Sequence, residues 1–459
     1  MTSTQALSSQ AGSRRKWLVL LAIGTGTFMS ALDGSVVNTI LPVVARDFHT
    51  DVATIEWVVT IYLLVVSSLL LSFGRLGDLH GHKPIYLLGF TIFIASSAVC
   101  GLAQSPLMLI GSRAVQALGG AMLFANSPAI LTKSFPADER GRALGLQATM
   151  TYLGLTVGPS LGGWLTESFS WRAVFYINVP VGLLAWGLSW RFIPRDQPNA
   201  GAEQFDRAGA AVFMAGLIAL LLGLNQGSTW GWTSPAILGL LSSAVILLGV
   251  FLVIERRAAA PMLDLSLFRR RTFSASTASA VLNYMCVYTV LFLLPFYLIQ
   301  ARSLSPAEAG AILTMQPIVM AFVAPLSGSL SDRIGARGLS VFGMAAMAIG
   351  LWLLSRLTLH SPTSDVLGAL AVMGLGTGTF ISPNSSALMG AAPRHRQGIA
   401  AGVLASARNV GMVLGVGLAG AVFTTVLGSS GDVARAVTTS FAVTIGLAGL
   451  GAVVAAIRG

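Results

Sequence analysis

The chain has 459 residues, 54% of them hydrophobic and only 10% charged, with 51 glycines and a mean hydropathy of +0.77. A soluble domain carries about 25% charged residues, so the polar material needed to cover a water-facing surface is missing, and the same apolar excess excludes disordered chains. The composition is that of an all-α polytopic membrane protein, and the net charge of +11 must be traced to its positions before nucleic acid is considered.

A helix needs about 20 mostly apolar residues to cross a hydrocarbon core of about 30 Å. In chain order the sequence offers fourteen such stretches: 17–41, 54–74, 84–103, 106–131, 143–166, 173–190, 208–226, 235–254, 272–299, 309–330, 338–355, 366–390, 398–427 and 436–457. The first is too long for the core of a signal peptide and is read as a retained span. With the N-terminus inside, 21 of the 28 basic residues and 9 of the 17 acids fall on the inner side. Cytoplasmic loops carry the Lys/Arg excess. The charge is therefore a topology signal: a multi-pass protein of the plasma (cytoplasmic) membrane, both termini cytoplasmic. Clusters such as Arg14-Arg15-Lys16 and Arg269-Arg270-Arg271 face anionic headgroups, so membrane lipids, not nucleic acid, are the expected partners of these charges. Cys100 and Cys286 lie within spans, and the five histidines sit in loops without metal-ligand spacing, so neither a disulfide framework nor a metal site is expected.

An internal repeat organises the spans. Gly74-Arg75-Leu76-Gly77-Asp78-Leu79-His80-Gly81-His82-Lys83 follows span two, and Gly328-Ser329-Leu330-Ser331-Asp332-Arg333-Ile334-Gly335-Ala336-Arg337 matches it at an offset of 254. Pro136, Gly141, Gly145, Gly154 and Gly158 correspond to Pro393, Gly398, Gly402, Gly411 and Gly415 at 257, and Leu41-Pro42 to Leu294-Pro295 at 253. The offset covers eight spans, yet the landmarks in each copy occupy six, which leaves an inserted pair. The expected domains are a cytoplasmic tail (1–16), a six-helix bundle (17–195), the inserted pair with its linkers (196–271) and a second six-helix bundle (272–459). Parallel repeats of this kind are a transporter architecture, with substrate bound between them near the midplane.

These residues resemble known signatures. The loop motif is similar to that between helices two and three of the major facilitator superfamily. The run Leu32-Asp33-Gly34-Ser35-Val36-Val37-Asn38-Thr39-Ile40-Leu41-Pro42 resembles the first-helix signature of its fourteen-span drug:proton antiporters. Leu109 to Gly120 resembles the fourth-helix motif, and Gly154-Leu155-Thr156-Val157-Gly158-Pro159-Ser160-Leu161-Gly162-Gly163 the fifth-helix antiporter motif. Leu79 and His82 depart from the loop motif, and the second half lacks counterparts of Asp33 and Arg113. The resemblance implies export of lipophilic, cationic, drug-like compounds by exchange for protons, with no cofactor beyond the proton gradient and a monomeric state. An exporter of one endogenous metabolite or lipid would use the same residues; a proton-coupled symporter is a further alternative, against which Gly158-Pro159 and the first-helix Asp33 signature argue. An enzyme or ATP-driven pump would need a catalytic constellation or phosphate loop, and the sequence has none.

Asp33 is the one carboxylate deep in a span, 16 residues from its inner end, about 24 Å. Arg113 lies 7 residues in from the outer end of span four, at matching depth. An acid buried in a membrane is a functional hypothesis by default, so Asp33 is the expected proton carrier and Arg113 the charge that tunes it. A static ion pair is the plainer reading. Glu56, two residues into span two beside Trp57, reads as an interfacial anchor or a proton relay. Gly74, Asp78, Gly81 and Lys83, with Asp332 and Arg333 in the second copy, form the expected conformational latch, Asp78 capping a helix or pairing with Arg75, Lys83 or Arg142. Gly154, Gly158 and Gly162, with Pro159 and Gly163, mark a close, bent helix contact, expected between the halves. By resemblance, the first, fourth, seventh and tenth helices of the two six-helix bundles line the substrate cavity, the seventh being the stretch 272–299, and the candidates are Met29, Asn38, Asn126, Met150, Asn283, Tyr284, Tyr288, Phe292, Gln316, Phe380 and Asn384. Arg408, 10 residues into its span, is a candidate for an anionic substrate group.

Overall fold

A computed structural model describes residues 3–136, 139–195, 207–257, 265–393 and 397–457, and among them all regular structure is helical. The helices are α1 (Ser3–Asp47), α2 (Val52–His80), α3 (His82–Gly101), α4 (Pro106–Ser134), α5 (Arg140–Ser168), the short α6 (Ala173–Tyr176) and α7 (Asn178–Phe192). They continue as α8 (Arg207–Trp230), α9 (Pro235–Arg257), α10 (Arg271–Phe296), α11 (Pro306–Leu313), α12 (Met315–Ile334), α13 (Ala336–Ser355), α14 (Thr363–Ala391), α15 (Gln397–Ser430) and α16 (Val433–Ala456). Among the described residues, twelve helical units are long and apolar enough to cross a membrane, not the fourteen read from the sequence. The two that fall short are α5, whose apolar content is diluted by the glycines that let it pack, and α8, whose apolar part is Ala208–Leu224.

The bundle has a near end, where α1 begins, and a far end, where it finishes. Far-end turns are fixed by caps: Asp51 accepts from the Thr54 amide (2.8 Å), Ser305 and Glu308 form a capping box ahead of α11, and Asp432 accepts from the Ala434 and Arg435 amides (2.8 and 3.2 Å). Each satisfies amide donors that a helix start leaves unpaired. At the near end, α2 passes into α3 through Gly81 (φ 92°) and α12 into α13 through Gly335 (φ 86°). Glycine is required at this φ, and the two glycines are one repeat offset apart.

The same offset relates the helix crossings. Gly89 and Gly119 bring the backbones of α3 and α4 together, and Gly343 and Gly376 do so for α13 and α14. A Cβ on Gly119 would stand 2.6 Å from the Gly89 carbonyl, and one on Gly376 2.7 Å from that of Gly343. Likewise α5 lies on α1 through Gly154, Gly158 and Gly162, as α15 lies on α10 through Gly411 and Gly415. Between helices in lipid, close backbone approach replaces the hydrophobic drive that water would supply. The apolar window of α1 is 83% buried and that of α9 17%, so α1 runs through the interior while α9 faces the surroundings. The helix α8 packs on α9 and on both α2 and α15.

Close contacts between α1–α7 and α10–α16 cluster at the far end, where α5 meets α11. Gly163 lies against the backbone of Pro306 and Gly310 against that of Pro159, Ser160 Oγ bonds Thr314 Oγ1 at 2.6 Å, and Glu167 accepts from the Ala307 amide at 3.1 Å. At the near end the polar ties described run within a set. Lys16 pairs with Glu139, Lys83 Nζ donates to the carbonyls of Trp190 and Ile193 (2.8 and 2.6 Å), and Arg270 donates to that of Ala391 (2.7 Å).

Candidate functional site

Asp33 and Arg113, 80 residues apart, meet in the interior with 0% and 1% of their side chains exposed. Arg113 Nη1 donates to Asp33 Oδ2 at 2.6 Å and to Gln116 Oε1 at 2.7 Å. The other carboxylate oxygen accepts from Asn178 Nδ2 at 2.8 Å and Gln116 Nε2 at 3.2 Å. Asn178 also donates to Ser97 Oγ (3.1 Å), whose hydroxyl donates to the Phe175 carbonyl (2.9 Å). Arg113 Nε donates to the Val58 carbonyl at 3.2 Å, and its guanidinium carbon lies 4.2 Å from the centre of the Tyr62 ring. A buried ion pair is tolerable only when its remaining lone pairs and protons are also bonded, and this pair meets that condition with groups from α1, α2, α3, α4, α6 and α7. The sequence reading paired Asp33 with Arg113 but missed Gln116, Asn178, Ser97 and Tyr62. Gln116 had a signal, because it lies three residues after Arg113 and so shares its helix face.

Glu56 is not an interfacial anchor. It is fully buried, with its carboxylate against Gly420 of α15: the second half covers the start of α2 at the far end and removes it from the surface. It is thus a second buried acid, at an inter-half contact, that span counting placed at the membrane edge.

The loop motif is partly redistributed. Asp78 pairs with His82 (Oδ1 to Nε2, 3.3 Å), and the buried His82 ring also contacts Asn126 Oδ1 through Nδ1 at 2.8 Å. Lys83 turns instead to the last carbonyls of α7, where an ammonium group satisfies acceptors that the helix end leaves free. Gly74 approaches Ala125 of α4, and Arg333 is exposed. The side chains of Asp332, Arg75 and Arg142 lie outside those described. The fifth-helix motif divides its work: Gly154, Gly158 and Gly162 seat α1, while Pro159 and Gly163 meet α11 of the other half.

A cavity of about 240 Å³ is lined by Tyr152 of α5, Tyr284 of α10, Phe380 and Asn384 of α14, and Arg408 of α15. Of the predicted cavity residues, Tyr284, Phe380, Asn384 and Arg408 are therefore brought together; the sequence reading missed the aromatic Tyr152 and the smaller or apolar Ala280, Ile381, Ser385, Leu404 and Ala405. Tyr288 lies one turn further along α10, within electrostatic reach of both Arg408 and Tyr62. The remaining candidates do not line this cavity and make contacts elsewhere. Asn126 bonds His82 and the carbonyls of Phe73 and Met122, and Asn283 donates to the sulfurs of Met347 and Met344 on α13. Met29 abuts Gly182 of α7, Met150 abuts Gly24, Gln316 presents its carbonyl to Gly374, Phe292 packs on Phe296, and Asn38 donates to the Gly34 carbonyl of its own helix. Polar and thioether groups on a buried helix have two faces to choose from, and composition does not tell which one opens on the cavity.

Comparison with known proteins settles the wider class. The family model described as Major Facilitator Superfamily matches residues 23–268 and 276–458. The chain belongs to the major facilitator superfamily. This transporter is 37% identical over 88% of its length to 87% of the riboflavin transporter RibZ of Clostridioides difficile (strain 630). It is 33% identical over 89% of its length to 76% of the multidrug resistance protein Stp of Mycobacterium tuberculosis. Its fold is similar (TM-score 0.71, 16% identity, 97% of each chain) to a bacterial homologue of the human lysosomal transporter Spinster, solved in an inward-facing and unoccupied conformation. It is thus a multi-pass membrane transporter.

Proposed function

We propose that this transporter exports lipophilic, drug-like compounds in exchange for protons by alternating access, and that Asp33 is the proton carrier. In this reading α5 and α8 cross with the other twelve helical units to give fourteen spans, in two six-helix bundles plus an inserted pair. The near end is cytoplasmic, and the far end, closed by α5 against α11, faces outward. The observation that carries the reading is the buried Asp33 carboxylate, whose charge is matched by one arginine and two amide donors. Such a match depends on distances of a few tenths of an ångström, because hydrogen bonds weaken steeply with misalignment. A rocking motion that shifts α1 against α4 or admits water alters that match, and the carboxylate then takes up or gives up its proton on the side that is open. Tyr288, one turn along α10 from the cavity residue Tyr284 and within electrostatic reach of both Arg408 and Tyr62, is the residue we assign to link a compound in the cavity to the pair. The multidrug resistance protein among the relatives supports the substrate class, and the riboflavin transporter supports the alternative in which one specific metabolite is the substrate.

The test is transport in proteoliposomes under an imposed pH gradient, with substrate counterflow as a gradient-independent control. Wild type should accumulate a lipophilic compound against its gradient when protons flow the other way. Asp33→Asn should retain counterflow and lose proton-driven accumulation. Full proton-driven accumulation by the variant would end the assignment.

A further inference from the structure

The sequence left Arg408 as a candidate for an anionic group, and the cavity adds the walls around it. Its one charged lining group is Arg408, and no carboxylate is present among the described lining residues. The Nε of Arg408 is sealed from solvent and has no hydrogen-bond acceptor among the described residues. The Tyr284 and Tyr152 hydroxyls lie in its field, and the Phe380 ring forms another wall. A cavity of about 240 Å³ is slightly under the roughly 300 to 1,000 Å³ of ordinary small-molecule sites, which suits a compact ring system. Three aromatic walls favour a flat one. A guanidinium in a site of low dielectric repels a cation and attracts an anion far more strongly than it would in water. Arginine is also the side chain best fitted to hold a carboxylate by two parallel hydrogen bonds while stacking on aromatic rings.

We propose that the cavity selects flat aromatic compounds bearing an ionised carboxylate or phenolate, held by Arg408 with Asn384 at the polar edge and Tyr152, Tyr284 and Phe380 around the rings. This rests on the cavity being the transported compound's site and replaces the cationic class that resemblance implied. Tyr152 is contributed by the first half and the other four residues by the second, so closing or opening the near end changes how tightly the rings are enclosed.

The experiment uses purified transporter in lipid nanodiscs and three fluorescent compounds sharing one ring system: 9-anthracenecarboxylate, 9-anthracenemethanol and 9-(aminomethyl)anthracene. Binding is read by fluorescence anisotropy without any pH gradient. The carboxylate should bind at least about tenfold more tightly than the amine, the scale of one charge-assisted hydrogen bond. Arg408→Gln should remove that preference while leaving the neutral alcohol's affinity within about twofold, and Arg408→Lys should keep part of it. Binding of the neutral alcohol also reports that the Gln variant is folded. A preference for the amine, or a carboxylate preference that survives Arg408→Gln, overturns the proposal. Because binding needs no gradient, these outcomes are separate from a failure of proton coupling, which would leave the charge preference intact and appear only in the Asp33→Asn transport test.

Discussion

At the residue scale, the account turns on a buried charge and its neighbours. Removing one partner of a buried ion pair costs about 3–5 kcal/mol because the other is left uncompensated, whereas replacing both by apolar groups can be nearly neutral. Arg113→Leu should therefore lower thermal stability markedly, and Asp33→Leu with Arg113→Leu should be less destabilised than the sum of the single changes. A double-mutant cycle on unfolding temperatures in detergent reads this directly, and strict additivity would mean that the 2.6 Å contact carries no coupling. Asp33 and Arg113 were legible because charges are scarce inside spans and their depths could be computed from the helix rise. Asn178 and Ser97 were not, since an amide or hydroxyl in an apolar helix has no period of its own and only tertiary packing aims it. Glu56 was misplaced because span counting knows depth along a helix and nothing of what the second half lays over it.

At the element scale, the glycine stripe of α5 was read as a close contact between the halves, yet the stripe itself packs on α1 of its own half and only Pro159 and Gly163 meet the other half. Gly154, Gly158 and Gly162 follow a spacing of four and so share a face, which proves to seat α1. Gly163 is one residue off that face and meets Pro306 of the opposite half. A side chain there blocks closure of the far end without disturbing α1. Gly163→Leu should thus shift the population toward the far-end-open state. Spin labels at the exposed Phe169 and Ser303 should report a longer mean distance by pulsed electron resonance than in the unsubstituted protein. An unchanged distance distribution would mean that the α5–α11 contact does not gate this end. Gly119→Ala, by contrast, presses a methyl on the Gly89 carbonyl in a static crossing. It should cost about 1–3 kcal/mol of stability, read as a lowered unfolding temperature with no change in the labels' distance. The same glycines explain why α5 was clearer as a motif than as a span: the residues that permit tight packing also dilute its hydropathy.

At the scale of the whole molecule, the repeat was the most legible feature, because an offset of about 255 residues survives in glycines that sequence drift cannot easily replace. Gly81 and Gly335 at matching φ, and Gly89 with Gly119 against Gly343 with Gly376, give that offset a physical cause in backbone conformation and helix approach. The pair expected between the halves, α8 and α9, was read only as a count. Its contact surface was not, since α8 bridges α2 and α15 through apolar residues indistinguishable from lipid-facing ones. The orientation rests on charge alone. It predicts that a cysteine at Ser429, on the far end, reacts with a membrane-impermeant maleimide in intact cells, whereas one at Arg269 reacts only after permeabilisation. The two native cysteines are buried and should give little background; the reverse pattern of labelling would invert the topology. What unites these scales is the claim that a proton on Asp33 and a compound in the cavity exclude one another. Substrate-induced proton release tests it most directly: purified transporter in weakly buffered detergent, a pH indicator, and a saturating addition of transported compound. Release of protons on substrate addition, absent in Asp33→Asn protein that still binds the compound, is the predicted result; equal release by the variant, or none by wild type across a range of pH, would contradict the account.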